Sequence, residues 1–216
     1  MTVANLNFIN QSNDANNTQV VIFQSNGSPA SYGQTSRATA RETEVAWRVL
    51  NCPPGNTHGF TFTSGLQLAA SESFGNETPL QNAAPGQLFA MQPGPSGDVL
   101  QAAGRTNDPN TIGLVNKLQL GAIDAFLYRD GRRLAMEAGL APGQSAFFVF
   151  DSTIKIVIIP GSEMQEGELV DSAIASQAVA QFNLQGVASA DIVLRGCGSG
   201  TDASPYRVTL ENVRKS

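Results

Sequence analysis

Apolar and polar residues alternate along much of the chain, with the period of two that places successive side chains of a β-strand on opposite faces. The segments 44–49, 178–184 and 206–211 show this alternation and predict half-buried strands. Two further segments, Phe147 to Phe150 and Ile154 to Ile159, are apolar at consecutive positions. They predict central strands, or strands with a second buried contact.

Turn-forming residues separate these apolar segments. Asp130-Gly131 lies between two apolar runs and favours a type I′ hairpin, because both central residues of that turn need positive φ. The tetrapeptide Ala-Pro-Gly-Gln occurs at 84–87 and again at 141–144, each time before an apolar run, and predicts a turn that leads into a strand. The segment 166–175 is open between a helix and a loop followed by a strand.

These patterns predict an all-β fold, an antiparallel β-sandwich that forms a single domain over residues 1–216. The recurring turns also suggest two similar β halves, 1–105 and 112–216, on either side of a polar Asn/Asp/Pro stretch. One sandwich built from both halves is the favoured arrangement. The alternative is that the turns recur without a repeat, because β-sandwiches commonly reuse them.

The composition is poor in charge and rich in side-chain amides, with 14% charged residues beside 16 Asn and 15 Gln. The net charge is -5 and the pI is about 4.8. Because nucleic acids and anionic membranes are bound mainly through Lys and Arg, we expect neither as a partner. A surface of amides and hydroxyls is weakly repulsive, so the expected partner is the chain itself, in a homo-oligomer or a larger assembly.

Two cysteines, Cys52 and Cys197, and the start of the sequence bear on the compartment. The first residues lack the basic and apolar regions of a signal peptide, so we expect a cytoplasmic protein, or one exported without a cleaved signal peptide. A cytoplasmic location predicts two reduced thiols. A disulfide between Cys52 and Cys197 is the alternative if the protein leaves the cell.

The single histidine, His58, lies in a turn-like loop before the apolar run Phe60 to Phe62. A hydrolase triad would also need an exposed serine on a strained turn and a carboxylate partner, and the sequence contains no G-x-S-x-G motif. We therefore expect a protein that is not an enzyme. A hydrolase that uses His58 is kept as an alternative.

Metal and cofactor sites have few candidate ligands. One histidine and two distant cysteines cannot supply a standard zinc, iron or copper set, and no cofactor is expected. Calcium needs only oxygen ligands, and the candidates for it are the four acidic residues Glu163, Glu166, Glu168 and Asp171. Their spacing is not that of an EF-hand, and a solvated loop is the alternative.

Sugar binding by ring stacking needs exposed aromatic residues. Trp47 alternates with valines and is expected in the core. Tyr32, in a predicted loop, and Tyr128, beside the predicted hairpin, are the candidate ligand-binding residues. They support an alternative function as a carbohydrate-binding, lectin-like module with a glycan as its partner.

Several short motifs resemble the bacterial rhizosphere-induced protein family, the RhiA type. They are the opening strand and turn at 5–12, the strand at 20–24, the Val-Ala-Trp at 45–47, and the segments 167–171 and 189–194 with the closing strand. The resemblance implies an abundant bacterial protein whose production follows cell density or a host-associated niche. Some relatives carry a ring-opening dioxygenase label, but the iron-dependent extradiol type needs two histidines and this chain has one.

The leading hypothesis is a non-catalytic β-sandwich that acts by self-assembly or binding. It follows from the low charge, the amide-rich composition and the missing catalytic residues. The strand predicted at Ile154 to Ile159 is apolar on both faces, so it would be the contact between copies if one of its faces were outward.

Overall fold

A computed structural model describes residues 3–14, 18–27, 44–72, 75–159, 161, 163–197 and 203–216. Strands account for 62% of these residues and helix for 2%, in antiparallel-rich sheets with sandwich-like packing. The all-β prediction is therefore confirmed. In the part of the chain that the structure describes, no helix has the length and apolar character needed to cross a membrane.

Eighteen strands and one helical turn lie in the described residues. In chain order they are β1 (Val3–Asn10), β2 (Gln19–Phe23), β3 (Glu44–Val45), β4 (Arg48–Asn51), β5 (Thr57–Thr63), β6 (Leu66–Glu72), β7 (Gln81–Ala83), β8 (Gln87–Gly94), β9 (Gly97–Arg105), β10 (Ile112–Asn116), β11 (Ile123–Arg129), β12 (Arg132–Leu140), β13 (Ser145–Phe148), β14 (Thr153–Ile159), β15 (Leu169–Val170), α1 (Ser172–Ala175), β16 (Ala180–Asn183), β17 (Val187–Cys197) and β18 (Ser204–Lys215).

The chain forms two compact units. The first comprises Met1–Ser25, Glu44–Ser64 and Ser152–Ser216. It contains one sheet in the order β18-β17-β1-β5, with a parallel pair, β17 and β1, at its centre, and an antiparallel sheet in the order β16-β14-β2-β4. The short strands β15 and β3 pair beside them. Alternate residues of the central strands point into the core, where Phe8, Ile22 and Ile156 are fully buried.

The second unit comprises Asn26–Thr43 and Gly65–Asp151. One of its sheets has the order β13-β10-β8-β9, with a parallel pair, β10 and β8, at its centre. The other sheet contains β12-β11-β6-β7 and is antiparallel throughout. This division into compact units does not test the predicted single domain over 1–216, which stays a prediction.

Both units follow the same strand plan. The eight strands β1, β2 and β4 to β9 correspond in order to β10 to β14 and β16 to β18, and this correspondence reproduces the order and the direction of the strands in all four sheets. The two series lie within the predicted halves 1–105 and 112–216. Each unit combines four strands of the first series with four of the second, so the similar halves are interleaved along the chain.

Equivalent hydrogen bonds support the repeat. Asn10 ends β1 and Asn116 ends β10, and both side chains are buried. The Nδ2 atom of each donates to a backbone carbonyl, that of Cys52 (2.6 Å) or Leu140 (2.8 Å). The Oδ1 atom of each accepts from the backbone N–H two residues on, at 2.9 and 3.0 Å. A shared sequence signal, an apolar strand ending in Asn, therefore has a shared structural role.

Turns with one geometry precede two pairs of equivalent strands, β5 with β13 and β8 with β17. In the turns 53–56, 84–87, 141–144 and 184–187, the third residue is a glycine with φ between 69° and 84°, and the fourth N–H donates to the first carbonyl at 2.9–3.1 Å. These are type II turns. The strand plan pairs 53–56 with 141–144 and 84–87 with 184–187, so the two identical tetrapeptides are not equivalent positions of the repeat. The Asp130-Gly131 hairpin is confirmed, with φ of 54° and 70°.

The strand that is apolar on both faces, β14, is interior. It lies between β16 and β2, and Ile154 and Ile156 are fully buried. On its other face, Val157 packs in a second buried cluster with Val21, Phe23, Ala46 and Val170, and Ile174 of α1 packs against that cluster. The predicted second buried contact is therefore made within the first unit. Ile154 to Ile159 offers no outward apolar face for a second copy.

Two predicted elements differ in detail. The strand predicted at 44–49 is broken, because β3 ends at Val45 and β4 begins at Arg48. At the break, Ala46 exchanges backbone hydrogen bonds with residues 167 and 168, and Trp47 is buried. The open segment 166–175 forms a turn, a two-residue strand and a single helical turn. Asp171 caps that helical turn by accepting from the Ile174 N–H at 2.8 Å.

Candidate functional site

His58 lies on β5, opposite Phe8 of β1, and its side chain is exposed. Among the described residues, no hydrogen bond is made to the imidazole of His58. A nucleophile would need to lie within hydrogen-bond reach of the imidazole, with a third group to orient the ring. The structure does not bring these partners to His58 in the part of the chain that it describes.

The two cysteines are free thiols with separate partners. Cys52 is buried, its thiol donates to the Asn56 carbonyl at 3.4 Å, and burial raises the pKa of this thiol. Cys197 is half-buried, and its Sγ lies 3.9 Å from Oδ1 of Asp14. The alternative of a Cys52–Cys197 disulfide is therefore not what the structure shows.

A polar cluster surrounds Cys197 in the first unit. The hydroxyls of Tyr206 and Thr18 are 3.3 Å apart, and the Asp14 carboxylate accepts from the Thr18 N–H at 3.3 Å. Burial, together with the hydrogen bond to Cys197, raises the pKa of Tyr206 to about 12. The phenol thus stays protonated at neutral pH and cannot serve there as a base, and the hydrogen bonds of the cluster join β18 to the segment after β1.

The four acidic calcium candidates are exposed, and two of them serve local structure. Glu168 accepts from the Gln165 N–H at 2.9 Å, and Asp171 caps α1. Glu163 and Glu166 lie on the same exposed segment. Among the described residues, no three His, Cys, Asp or Glu side chains are placed to hold a metal ion together. The structure therefore does not assemble these carboxylates into a site.

Of the two tyrosine candidates, Tyr128 does not present an open ring face. Tyr128 is only 9% exposed, and its hydroxyl donates to the Glu77 carboxylate. The Arg133 guanidinium lies beside this hydrogen bond. Its Nη2 atom is 3.6 Å from Oε2 of Glu77, and its Cζ atom is 4.1 Å from the centroid of the Phe126 ring. These neighbours occupy the surroundings that a stacked sugar would need. Tyr32 lies outside the described residues.

The feature that stands out in the second unit is the exposed edge strand β9. It ends its sheet, pairs with β8, and seven of its nine residues are exposed. From Gln101 to Arg105 the exposure is uninterrupted. An edge strand presents unpaired backbone N–H and C=O groups along its free side, which makes it a template for another strand.

The equivalent edge strand of the first unit, β18, is protected. It carries Arg207, Glu211, Arg214 and Lys215, and its pairing with β17 has three register irregularities. Arg195 of β17 donates to Glu211 and holds the pKa of that carboxyl down at about 2. Charges and bulges are the usual protection of sheet edges against pairing with other chains.

Two further edges are covered by side chains or backbone. Asn26 donates to the Phe147 carbonyl of β13 at 3.3 Å, and just beyond that strand Gly27 donates to the Val149 carbonyl at 2.8 Å, so residues 26–27 cover the end of this short edge. On β5, the Thr61 carbonyl accepts from Arg48 at 3.5 Å. The edge at β13 belongs to the same sheet as β9, but it is four residues long and covered at its end, whereas β9 is nine residues long and mostly exposed.

The protection of β9 is slight by comparison. No charged residue lies between Asp98 and Arg105. The Gln81 side-chain amide donates to the Leu100 carbonyl, and Ala103 is an extra residue relative to β8 that forms a bulge. These devices cover one carbonyl and bend one point of the strand, while the backbone on either side stays accessible.

The sequence did not single out β9, because residues 97–105 lack the apolar alternation that predicts a strand. The one available signal was the absence of charge from the interior of the segment, and that becomes informative only once the strand is known to end a sheet. No family model, curated protein or solved structure matches the chain.

Proposed function

We propose that the protein is non-catalytic and acts by self-association, with β9 as the contact between copies. The observation that carries the proposal is the exposure of this nine-residue edge strand beside protected edges at β18 and β13. A strand added to such an edge forms backbone hydrogen bonds, each of which contributes about 0.5–1.5 kcal/mol net. Several such bonds along one strand pair act together against the entropy that is lost on association.

The chemistry of the described residues supports a role without catalysis. His58 has no hydrogen-bonded nucleophile among them, and Tyr206 stays protonated at neutral pH. The lectin-like alternative has less support, because the Tyr128 ring is buried against Arg133 and Glu77. A low-charge protein that associates with itself also agrees with the expectation, from the rhizosphere-induced resemblance, of an abundant bacterial protein without a known activity.

Lysines placed on β9 should abolish self-association. In the double variant Gln101→Lys, Ala103→Lys, both positions are exposed, so the single chain should fold normally. Two paired copies, however, would bring four positive charges together at the junction. By sedimentation equilibrium, we expect wild-type protein to exceed the 22.7 kDa of one chain as concentration rises, and the variant to remain at that mass.

The control places two lysines on the equivalent strand β18, as Ser204→Lys with Val213→Lys, both at exposed positions. It should associate as the wild type does. A wild-type chain that stays monomeric at every concentration would disprove self-association. If the β9 variant associates as strongly as wild type, the contact lies elsewhere on the molecule.

A further inference from the structure

The ends of β9 carry opposite charges that have no partners among the described residues. Asp98 lies near the beginning and Arg105 at the end, and both are exposed. Neither forms an ion pair or side-chain hydrogen bond with another described residue. They are seven residue steps of extended strand apart, about 23 Å, so they cannot pair with each other. Two isolated charges of opposite sign at the two ends of an exposed edge suggest a partner with the reversed arrangement.

A second copy of β9 running antiparallel has this arrangement. We infer that two copies pair their β9 strands about a two-fold axis, which brings Asp98 of each copy to the end of the strand where Arg105 of the other lies. The inference rests on the proposed function and specifies its geometry. A parallel pair would instead place Asp98 beside Asp98 and Arg105 beside Arg105, and like charges across a strand pair are destabilising.

The interior of the strand suits this close pairing. Gly97, Ala102, Ala103 and Gly104 have small side chains or none, and the one long exposed side chain between the charged ends is that of Gln101. Small neutral residues leave room for a second strand at the usual spacing of about 4.8 Å, with no charge to be desolvated between the two ends.

The pairing closes after two copies. The sheet of β9 has its other edge at β13, a strand of only four residues whose end is covered by hydrogen bonds from Asn26 and Gly27. Each copy therefore contributes one open edge of this sheet, and the two-fold arrangement uses both. The product is a dimer with a continuous eight-stranded sheet, in the order β13-β10-β8-β9 followed by the same strands reversed, and not a filament extended through this sheet.

Charge reversal tests the orientation. Asp98→Arg places two arginines at each end of an antiparallel pair, and Arg105→Asp places two acids there. Each single variant should raise the dimer Kd about tenfold at low salt, since two exposed attractive contacts become repulsive. The double variant Asp98→Arg, Arg105→Asp restores opposite charges and should return the Kd to within about twofold of wild type. Circular dichroism of each variant checks the fold.

The outcomes separate the two proposals. In a parallel pair, a single reversal exchanges one pair of like charges for another and should leave the dimer Kd unchanged. Single variants with the wild-type Kd would therefore overturn the antiparallel arrangement and leave self-association intact. A double variant as weak as the singles would overturn it equally. If scattering at high concentration shows masses that grow beyond twice 22.7 kDa without limit, the closed dimer is wrong. A monomeric wild type would instead end the proposed function itself.

Discussion

Replacing Trp47 with alanine should lower the free energy of unfolding by about 3–5 kcal/mol. The indole is fully buried in the first unit and packs edge-on against the rings of Phe60 and Phe62, at centroid distances of 6.2 and 5.8 Å. The Arg48 guanidinium lies 4.9 Å from the ring centroid. Alanine would leave a cavity among these groups, because the surrounding structure relaxes only in part around a deleted core side chain. Urea unfolding followed by far-UV circular dichroism measures the loss.

The matched control is Leu120→Ala, since Leu120 is 87% exposed and the removed atoms are already in water. We expect that change to stay within about 0.5 kcal/mol of wild type. A Trp47→Ala protein as stable as the Leu120→Ala protein would contradict the buried position of the indole between the strands of the first unit.

The second large effect is expected at Gly196 of β17, which lies against the backbone of β18. A Cβ atom at this position would lie 2.2 Å from the backbone oxygen of Pro205, and the glycine has φ of 99°. Because backbone cannot yield as a flexible side chain does, Gly196→Ala should cost about 3 kcal/mol or more, from a strained φ and a displaced strand together. Thermal and urea unfolding of the purified variant would report it.

Gly186→Ala separates these two causes. Gly186 also has positive φ, at 69°, but no atom lies within 4 Å of the position its Cβ would take. Only the backbone conformation is penalised there, by about 1–2 kcal/mol. If both variants lose the same stability, the close approach of Pro205 to Gly196 is not real, and the pairing of β17 with β18 needs revision.

Local features of the fold were predictable because their causes are local. Asp130-Gly131 forms its hairpin since both residues tolerate positive φ, and the alternation at 206–211 lies within β18. The double apolar character of Ile154 to Ile159 correctly indicated a strand covered on both faces. In each case the evidence sits within a few residues of the element that it predicts.

Long-range arrangement was not predictable in the same way. The alternation at 44–49 favours one strand, yet burial of Trp47 and backbone pairing of Ala46 with residues 167–168 break it. The identical tetrapeptides at 84–87 and 141–144 suggested a repeat, but the strand plan matches each of them to a different turn. A turn sequence reports its own conformation, whereas equivalence in a repeat depends on which strands the chain pairs.

The candidate contact illustrates the same limit. Residues 97–105 contain neither a catalytic group nor an apolar run, and the interest of β9 arises only from its place at the end of a sheet. Of the candidates drawn from residue type alone, Tyr128, Glu168 and Asp171 proved to have structural neighbours that occupy them. Which strand of a sheet is left without a neighbour is decided by pairings between residues far apart in the chain.

Hydrogen–deuterium exchange of wild-type protein at low and high concentration tests the central claim most directly. If β9 pairs with a second copy, backbone amides in the peptide covering Gly97–Arg105 will exchange more slowly at high concentration, while those of the equivalent strand β18 will not change. Exchange in β9 that is the same at every concentration, in a sample whose mass shows association, would contradict the account and move the contact to another surface.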